Sequence, residues 1–522
     1  VADVVTLDAM IQRSDFAVGT TDAAGTEQIQ TLSVESLSAQ SMIVPMLRKP
    51  DFQRETNQWT PSQLITFLKS YLDLELIPSV ILWRSPAYVF VIDGGHRLSA
   101  LRAWIEDDYG DGPISRKYYG NEISADQKRI SERVKKLVTQ EIGTYSRIKD
   151  ALINPDSYDE ISVQRARNMA TRSLSLQWVV GDAEKAESSF FKINTQGTPL
   201  DSTEELLLRN RKRPVAIAAR SILRAGTGNK YWSKFDEQCS KDIVSQSKTI
   251  HELIFKPDLK QPIKTLYLPL GGGASPLLAL DLLIKFITLC SATQTNPYPK
   301  IESFPEDEDG QATKTALSNC YRVASWLTGN EGCSLGLHPA VYFYTDQGRH
   351  SADMFLAFAS LVARKLAFNQ KQFFKDFTDS RKIIEDFLID IKPILALLIN
   401  AVTSRSRVQK LSEFLEGVVA RAKSAEPLDA AWAIDQIAPN SRARILMATE
   451  TTTNTSFARE TKSAIYLRDS LSSAIKCPIC QGYLEPANSA SYDHETPVRE
   501  GGLGTADNGQ ITHPYCNTGI KN

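Results

Sequence analysis

Apolar positions recur along this chain with two different periods, and the changes between them divide it into segments. Residues 1–40 are mostly polar and weakly patterned, which predicts a loosely held arm. From Ile43 the pattern sharpens. Pro45 and Pro50 demand extended backbone around Asp51-Phe52-Gln53-Arg54. Thr60-Pro61 reads as a helix cap and first helical residue, and Leu64, Ile65, Leu68, Tyr71 and Leu72 then share one face. Val80–Trp83 and Tyr88–Ile92 are β-branched and aromatic runs around Arg84-Ser85-Pro86, which predicts a hairpin. Asp93-Gly94-Gly95 stops the second run. Helical spacing resumes over Arg97–Asp107, with Leu98, Leu101 and Ile105 inward.

Residues 115–175 mix basic side chains with helical spacing. Ser189–Ile193 fits a short strand or a helix end, and Asn194–Pro199 reads as a turn. Ser202 with Glu205 has the form of a capping box opening a helix that runs toward Pro214. Beyond it the pattern is almost wholly amphipathic helix: Leu277–Cys290, Ala352–Asn369, Arg381–Val402 and Val408–Ala422. The acidic run Glu302–Asp309 reads as a solvated loop. The expected organisation is α+β: an arm at 1–40, a mixed domain at 41–225, a helical domain at 226–446, a linker at 447–463 and a small domain at 464–522.

Composition narrows the classes. The 522 residues carry 60 basic and 61 acidic side chains, which excludes a uniformly basic nucleic-acid binder but not local basic patches. No apolar run reaches the roughly 18–20 residues that cross a bilayer. The first residues lack the basic and apolar regions of a secretion signal. The expectation is a cytoplasmic protein with no membrane partner. Seven cysteines are too few for a disulfide scaffold, and three of them, at 477, 480 and 516, crowd near the end.

That crowding carries the strongest chemical signal. Cys477-Pro478-Ile479-Cys480 is followed, after 32 intervening residues, by His513-Pro514-Tyr515-Cys516. A Cys-x2-Cys pair and a His-x2-Cys pair can close a tetrahedral structural Zn2+ site. A unit of this size has little core of its own, so a metal staple makes physical sense. Cys239, Cys290, Cys320 and Cys333 have no ligand spacing and read as core or loop residues.

Between the two pairs stand Tyr492-Asp493-His494-Glu495-Thr496-Pro497, Gly501-Gly502 and Asn508, with Asn517 and Lys521 following. This ordered set resembles the HNH (ββα-metal) nucleases. A histidine, whose ordinary pKa lies near neutrality, suits general-base activation of water for phosphodiester hydrolysis. The resemblance implies that His494 is this base, that Asn508 orients the His494 imidazole, and that Asp493 and Asn517 give oxygen ligands to a catalytic Mg2+ or Mn2+. It makes His513 a zinc ligand; the alternative is a catalytic His513 and zinc held by three cysteines. From Cys477 onward two basic residues face five acidic ones, so this tail depends on the rest of the chain to hold DNA.

Upstream, Asp93-Gly94-Gly95-His96-Arg97 lies between a predicted strand and a helix start. Such a turn aims backbone N–H groups and the helix dipole at one point, which suits phosphate. The segment from Pro50 to Leu101, with Gln53-Arg54, Ile77-Pro78 and Asp93-Gly94-Gly95-His96-Arg97, resembles the GmrS-type N-terminal domain. That domain is a ParB/sulfiredoxin-like fold of bacterial modification-dependent restriction enzymes. Phe190-Phe191-Lys192-Ile193-Asn194 with Gly197 and Leu200 extends the likeness, which spans roughly 40–215. It implies that Gln53, Arg54, Asp93, Gly94, His96, Arg97 and Asn194 contact a nucleotide, GTP or ATP, whose hydrolysis controls the nuclease. Gly95-His96 stands where the family commonly has Gln-Gln; this leaves open either an active substitute or a domain that only binds. The implied partners are DNA, a second copy of the chain in a homo-oligomer, and companion defence proteins.

Overall fold

The computed structural model describes residues 3–14, 16, 28–51, 59–196, 202–273, 276–439 and 456–520. It is mixed α and β and divides into two compact units. The first comprises Val1–Arg211 with Thr227–Tyr231, and the second Lys212–Gly226 with Trp232–Asn522.

The first unit is built on a six-stranded sheet in the order β1-β3-β5-β4-β6-β2. These strands are β1 (Arg13–Ser14), β2 (Thr31–Ser33), β3 (Leu47–Pro50), β4 (Val80–Arg84), β5 (Val89–Asp93) and β6 (Ser173–Val179). The expected hairpin is present: β4 and β5 pair antiparallel, with Leu82 opposite Val91. Their outer neighbours β6 and β3 run parallel to them. The helix Pro61–Leu72 carries a full capping box between Thr60 and Gln63 and buries Leu64, Ile65, Leu68, Tyr71 and Leu72 in the core cluster that also holds the strand residues Leu82 and Val91, as its spacing predicts. The helix Gly95–Glu106 follows β5 directly.

The N-terminal stretch departs from the expected loose arm. Val5, Leu7, Met10 and Ile11 are buried in the core, and β1 joins the sheet beside β3. Asp8 is buried beside Arg13 and Lys49, and the Lys49 Nζ lies 2.8 Å from its Oδ1. Burial alone would raise this carboxyl, but the two cations over-compensate and hold it well below the usual carboxylate range. Polar residues made the stretch look loose because its charges are paired inside the fold, which composition does not reveal.

Ser189–Ile193 is helical, near the end of Ala183–Gln196, which is the helix-end alternative for that segment; Asn194–Gln196 still belong to the helix, so the expected turn does not start at Asn194, and 197–199 lie outside the described residues. Ser202 lies inside the helix Ser202–Arg209, and Glu205 bonds Arg209 at 2.6 Å in place of the expected capping box.

The second unit is a stack of helices. Ala352–Ala367 packs between Pro276–Cys290 and Ser404–Lys423, while Glu237–Phe255 packs on Gln311–Leu327. The expected helix Arg381–Val402 is two helices, Arg381–Asp390 and Lys392–Ala401, because Pro393 lacks the N–H a continuous helix would need and instead opens the second. The acidic run is not wholly solvated. Asp307 is buried and accepts from Gly310 N and Thr313 N at 2.9 and 2.7 Å, closing the start of Gln311–Leu327. Residues 459–463 belong to the helix Arg459–Ser472, whereas 447–455 lie outside the described residues. Among the described residues no helix is long and apolar enough to cross a membrane.

Candidate metal centre and its neighbouring site

The two cysteine- and histidine-bearing turns meet in the second unit. Cys477-Pro478-Ile479-Cys480 folds back on itself: Gln481 N bonds Cys477 O and Cys477 N bonds Gly482 O, both at 2.8 Å. Gln481 takes a left-handed φ of 59° to make this reversal. His513 and Cys516 enter from the other side, where Cys516–Ile520 forms one wide helical turn. The ligand atoms of Cys477, Cys480, His513 and Cys516 all lie within 4.8 Å of one another, and all four residues are buried. His513 Nδ1 is 3.3 Å from Cys480 Sγ and 3.8 Å from Cys516 Sγ.

The donor set fits a soft divalent ion such as Zn2+. Ligand bonds near 2.1–2.3 Å in a tetrahedron put donor atoms somewhat under 4 Å apart. The second nitrogen of His513 is also accounted for: Nε2 donates to the Tyr483 carbonyl at 3.0 Å, which leaves Nδ1 with its lone pair facing the thiols. Burial holds the His513 imidazole below its ordinary pKa, and therefore neutral, as a metal ligand must be. With Nε2 on the Tyr483 carbonyl, Nδ1 facing the thiols and no exposed surface, His513 fits a metal ligand better than a base reaching water. Crowding drives the thiols apart: hydrogen bonds with Cys480 and then Cys516 push Cys477 down, and those with Cys477 and Cys480 push Cys516 up. Among the described residues the local apolar cluster is Cys477, Cys480, Cys516 and Leu484, with Ile479 and Ile511 packed against them. Burying Leu484 contributes about 1.5–3 kcal/mol, against about 10–16 kcal/mol for zinc in small zinc-folded peptides.

Beside this centre lies a two-stranded hairpin, β7 (Ser491–His494) and β8 (Gly509–Thr512). Asp493 stands opposite Gln510 and His494 opposite Gly509. Gln510 Nε2 donates to Asp493 Oδ2 at 2.8 Å, fixing a carboxylate that is largely buried. Asn517 donates from Nδ2 to Ser491 Oγ at 2.8 Å and to Tyr492 O at 3.2 Å, which ties it to the strand bearing Asp493 and His494. The expected residues of the tail therefore gather around one hairpin. One expected contact is different. The Asn508 side chain bonds the backbone of Thr496 and Leu503, so it acts on the loop after His494 and not on the imidazole itself.

In the first unit, the turn after β5 is built as expected. Gly94 adopts φ 93°, and a Cβ there would meet Val80 Cγ2 at 2.9 Å, so glycine is required on both counts. Arg97 folds back onto Asp93 at 2.6 Å and onto Ser79 O at 3.3 Å. His96 stacks on Trp59, with ring centroids 5.6 Å apart. Gln53 and Arg54 lie outside the described residues, as does the side chain of Asn194.

Several basic side chains at the end of the first unit and in the helical stack are paired with acids. Arg209 meets Glu205 and Arg211 meets Glu187. In the second unit Lys212 meets Glu306, Arg407 meets Asp353 and Lys423 meets Asp376.

Sequence reasoning missed the residues on which the metal centre rests. Arg381 is buried, bonds Glu385 at 2.7 Å, and donates to the carbonyls of Leu335 and Gly336. A Cβ on Gly482 would meet Arg381 Nε at 2.5 Å, and one on Gly336 would meet His513 Cδ2 at 2.9 Å. Tyr515 N bonds Ser334 O at 2.9 Å, and Ser489 Oγ bonds Gly329 O at 2.6 Å. The contacts that join Arg381, Gly336, Ser334 and Gly329 to Gly482, His513, Tyr515 and Ser489 each span more than a hundred residues, and no local spacing marks them.

The fold and site thus define a mixed α/β unit joined to a helical unit that carries a Cys3His centre. Residues 34–211 match the family model of the GmrSD restriction endonuclease N-terminal domain. The match ends at Arg211, where the main segment of the first unit ends. It supports a GmrSD-type restriction protein and suggests a restriction-like nuclease acting on DNA. No curated protein and no solved structure matches the chain.

Proposed function

We propose that the chain is a metal-dependent DNA endonuclease of bacterial defence, with an HNH-type nuclease tail controlled by its N-terminal unit. The observation that carries this reading is the hairpin. Asp493 and His494 end one strand, Asn517 is bonded to that strand, and Asn508 fixes the loop that follows. His494 takes a proton from the attacking water. Asp493 and Asn517 are a hard oxygen pair of the type that holds Mg2+ or Mn2+. Such an ion supplies charge neutralisation at the phosphate and leaving oxygen. Asn508 keeps the loop after His494 from moving, and the Cys3His centre braces the base of the hairpin.

In the N-terminal unit the turn Asp93–Arg97 takes the phosphates of GTP or ATP, with Gln53, Arg54, Gly94, His96 and Asn194 as further contacts. Backbone N–H groups at the start of Gly95–Glu106 and the Arg97 guanidinium are suited to that task. One observation favours a second reading in which this unit binds DNA or protein without nucleotide turnover. His96, which replaces a family glutamine, is packed face to face with Trp59.

The test is a plasmid-cleavage assay that crosses Mg2+ or Mn2+, GTP or ATP, and modified or unmodified DNA, alongside nucleotide hydrolysis with and without DNA. Cleavage that requires the divalent ion and His494 supports the nuclease. Cleavage unaffected by His494→Ala overturns it. Cleavage without any nucleotide hydrolysis selects the second reading.

A further inference from the structure

The helical part of the second unit reaches the metal centre through a chain of hydrogen bonds. Glu385, on Arg381–Asp390, is buried. Its Oε1 accepts from Arg381 Nε at 2.7 Å and from Tyr342 OH at 2.7 Å. Its Oε2 accepts from Tyr483 N at 2.6 Å. The carbonyl of that same residue, Tyr483, accepts from His513 Nε2 at 3.0 Å. One carboxylate therefore orients the residue whose carbonyl selects the His513 tautomer, and Arg381 and Tyr342 orient that carboxylate in turn. Arg381 also grips Gly336 O, and Gly336 packs on the His513 ring.

We propose that Glu385 is a positioning residue for the metal ligand His513, acting through Tyr483, so that the helical unit and the Cys3His centre hold their geometry as one device. This rests on the reading of that centre as a zinc site. The physical reason is donor bookkeeping. A carboxylate can accept from Arg381, Tyr342 and Tyr483 together, because neither oxygen carries a proton. An amide in its place has one accepting oxygen, so its NH2 must face either the Tyr483 N–H or the Arg381 Nε–H. Either choice sets donor against donor in a buried site. Outer partners of metal-bound histidines typically govern affinity by about 10–100-fold.

The experiment uses the full chain loaded with zinc. Zinc release to a coloured chelator is timed under native conditions for wild type, Glu385→Gln, Tyr342→Phe and Ile384→Val, with far-ultraviolet circular dichroism as the folding check. Glu385→Gln is expected to release zinc about tenfold faster or more, and Tyr342→Phe about threefold faster, since it removes one of the bonds that orient the carboxylate. Ile384→Val trims the neighbouring buried residue without touching the chain of bonds, and is expected to keep the wild-type rate. Cobalt-substituted Glu385→Gln is expected to show shifted d–d absorption bands. Wild-type release from a folded Glu385→Gln overturns the proposal. If that variant does not fold, unchanged release from Tyr342→Phe overturns it. Equal acceleration by Ile384→Val also overturns it, because general loosening would then suffice. A wild-type protein that binds no zinc overturns the metal reading itself, whereas a zinc-loaded wild type with an unaltered Glu385→Gln defeats this proposal alone.

Discussion

Asn508 clasps Thr496 from both sides: its Oδ1 accepts from Thr496 N at 2.7 Å and its Nδ2 donates to Thr496 O at 3.1 Å. The remaining Nδ2 hydrogen goes to Leu503 O at 2.9 Å, and the Asn508 carbonyl accepts from Glu495 N at 2.8 Å. One side chain thus pins both ends of the loop that follows His494. The loop can close this tightly because Gly501 takes φ 88° and Gly502 has no Cβ; a Cβ on Gly502 would lie 1.8 Å from Thr496 O.

Replacing Asn508, or the Gly502 that lets the loop close on Thr496, should disable the site without emptying the metal centre. Asn508→Ala removes three hydrogen bonds worth about 0.5–1.5 kcal/mol each. Gly502→Ala forces the loop outward. Both variants are expected to lose at least about tenfold in DNA cleavage, which corresponds to 1.4 kcal/mol on the barrier. Zinc content measured by atomic emission should equal that of wild type. Loss of zinc in either variant would show that the loop supports the metal turns and not the hairpin.

His494→Ala is expected to lower plasmid nicking by about 10²–10⁴-fold, the usual contribution of a positioned base. Circular dichroism and zinc content should not change, because His494 is not among the four clustered ligands. Nicking assays with matched metal concentrations give the comparison.

The second unit should lose stability in mild acid. His338 is wholly buried, and neither ring nitrogen has a hydrogen-bond partner among the described residues. Burial first, then the nearby Lys392 and Arg381 charges, push its pKa down to about 3. A histidine with a folded pKa below its unfolded value near 6.5 binds fewer protons when folded. Its contribution is therefore intact above about pH 6.5 and is lost as the pH falls toward 3, by at most about 1.4 kcal/mol per pH unit. Urea unfolding between pH 6.5 and 4.5 should show this slope in wild type, and His338→Leu should flatten it.

In the first unit Arg97 is held ready by Asp93 and Ser79 O, 2.6 and 3.3 Å away. If the turn takes a nucleotide phosphate, Arg97→Ala costs a charge-assisted contact of about 1.5–3 kcal/mol. Binding of a fluorescent GTP or ATP analogue should then weaken by about tenfold or more, with DNA cleavage in the absence of nucleotide unchanged. Equal affinity in the variant would remove Arg97 from the site.

Where a structural feature depends on neighbours in the chain, it was legible beforehand. The cap at Thr60, the buried face from Leu64 to Leu72, the β4–β5 hairpin and the glycine turn at Gly94 all follow from side-chain shape and spacing over a few residues. So do the Cys477–Cys480 and His513–Cys516 pairs, since ligand spacing is a local property. Features that rest on distant partners were not legible. Asp8 lies in a stretch that reads as a loosely held arm until Lys49 and Arg13 are folded beside it. Asp307 reads as part of a solvated run until it turns inward to start a helix. Asn508 was expected to touch an imidazole, and only the folded loop shows that its three bonds go to main chain.

The metal centre shows the division most clearly. Its four candidate ligands could be named from residue type and spacing, with the choice between ligand and base left open for His513. That Glu385 and Arg381 lie behind Tyr483 and His513 could not be, because such contacts bring together segments roughly a hundred residues apart whose proximity arises from packing of the whole helical unit.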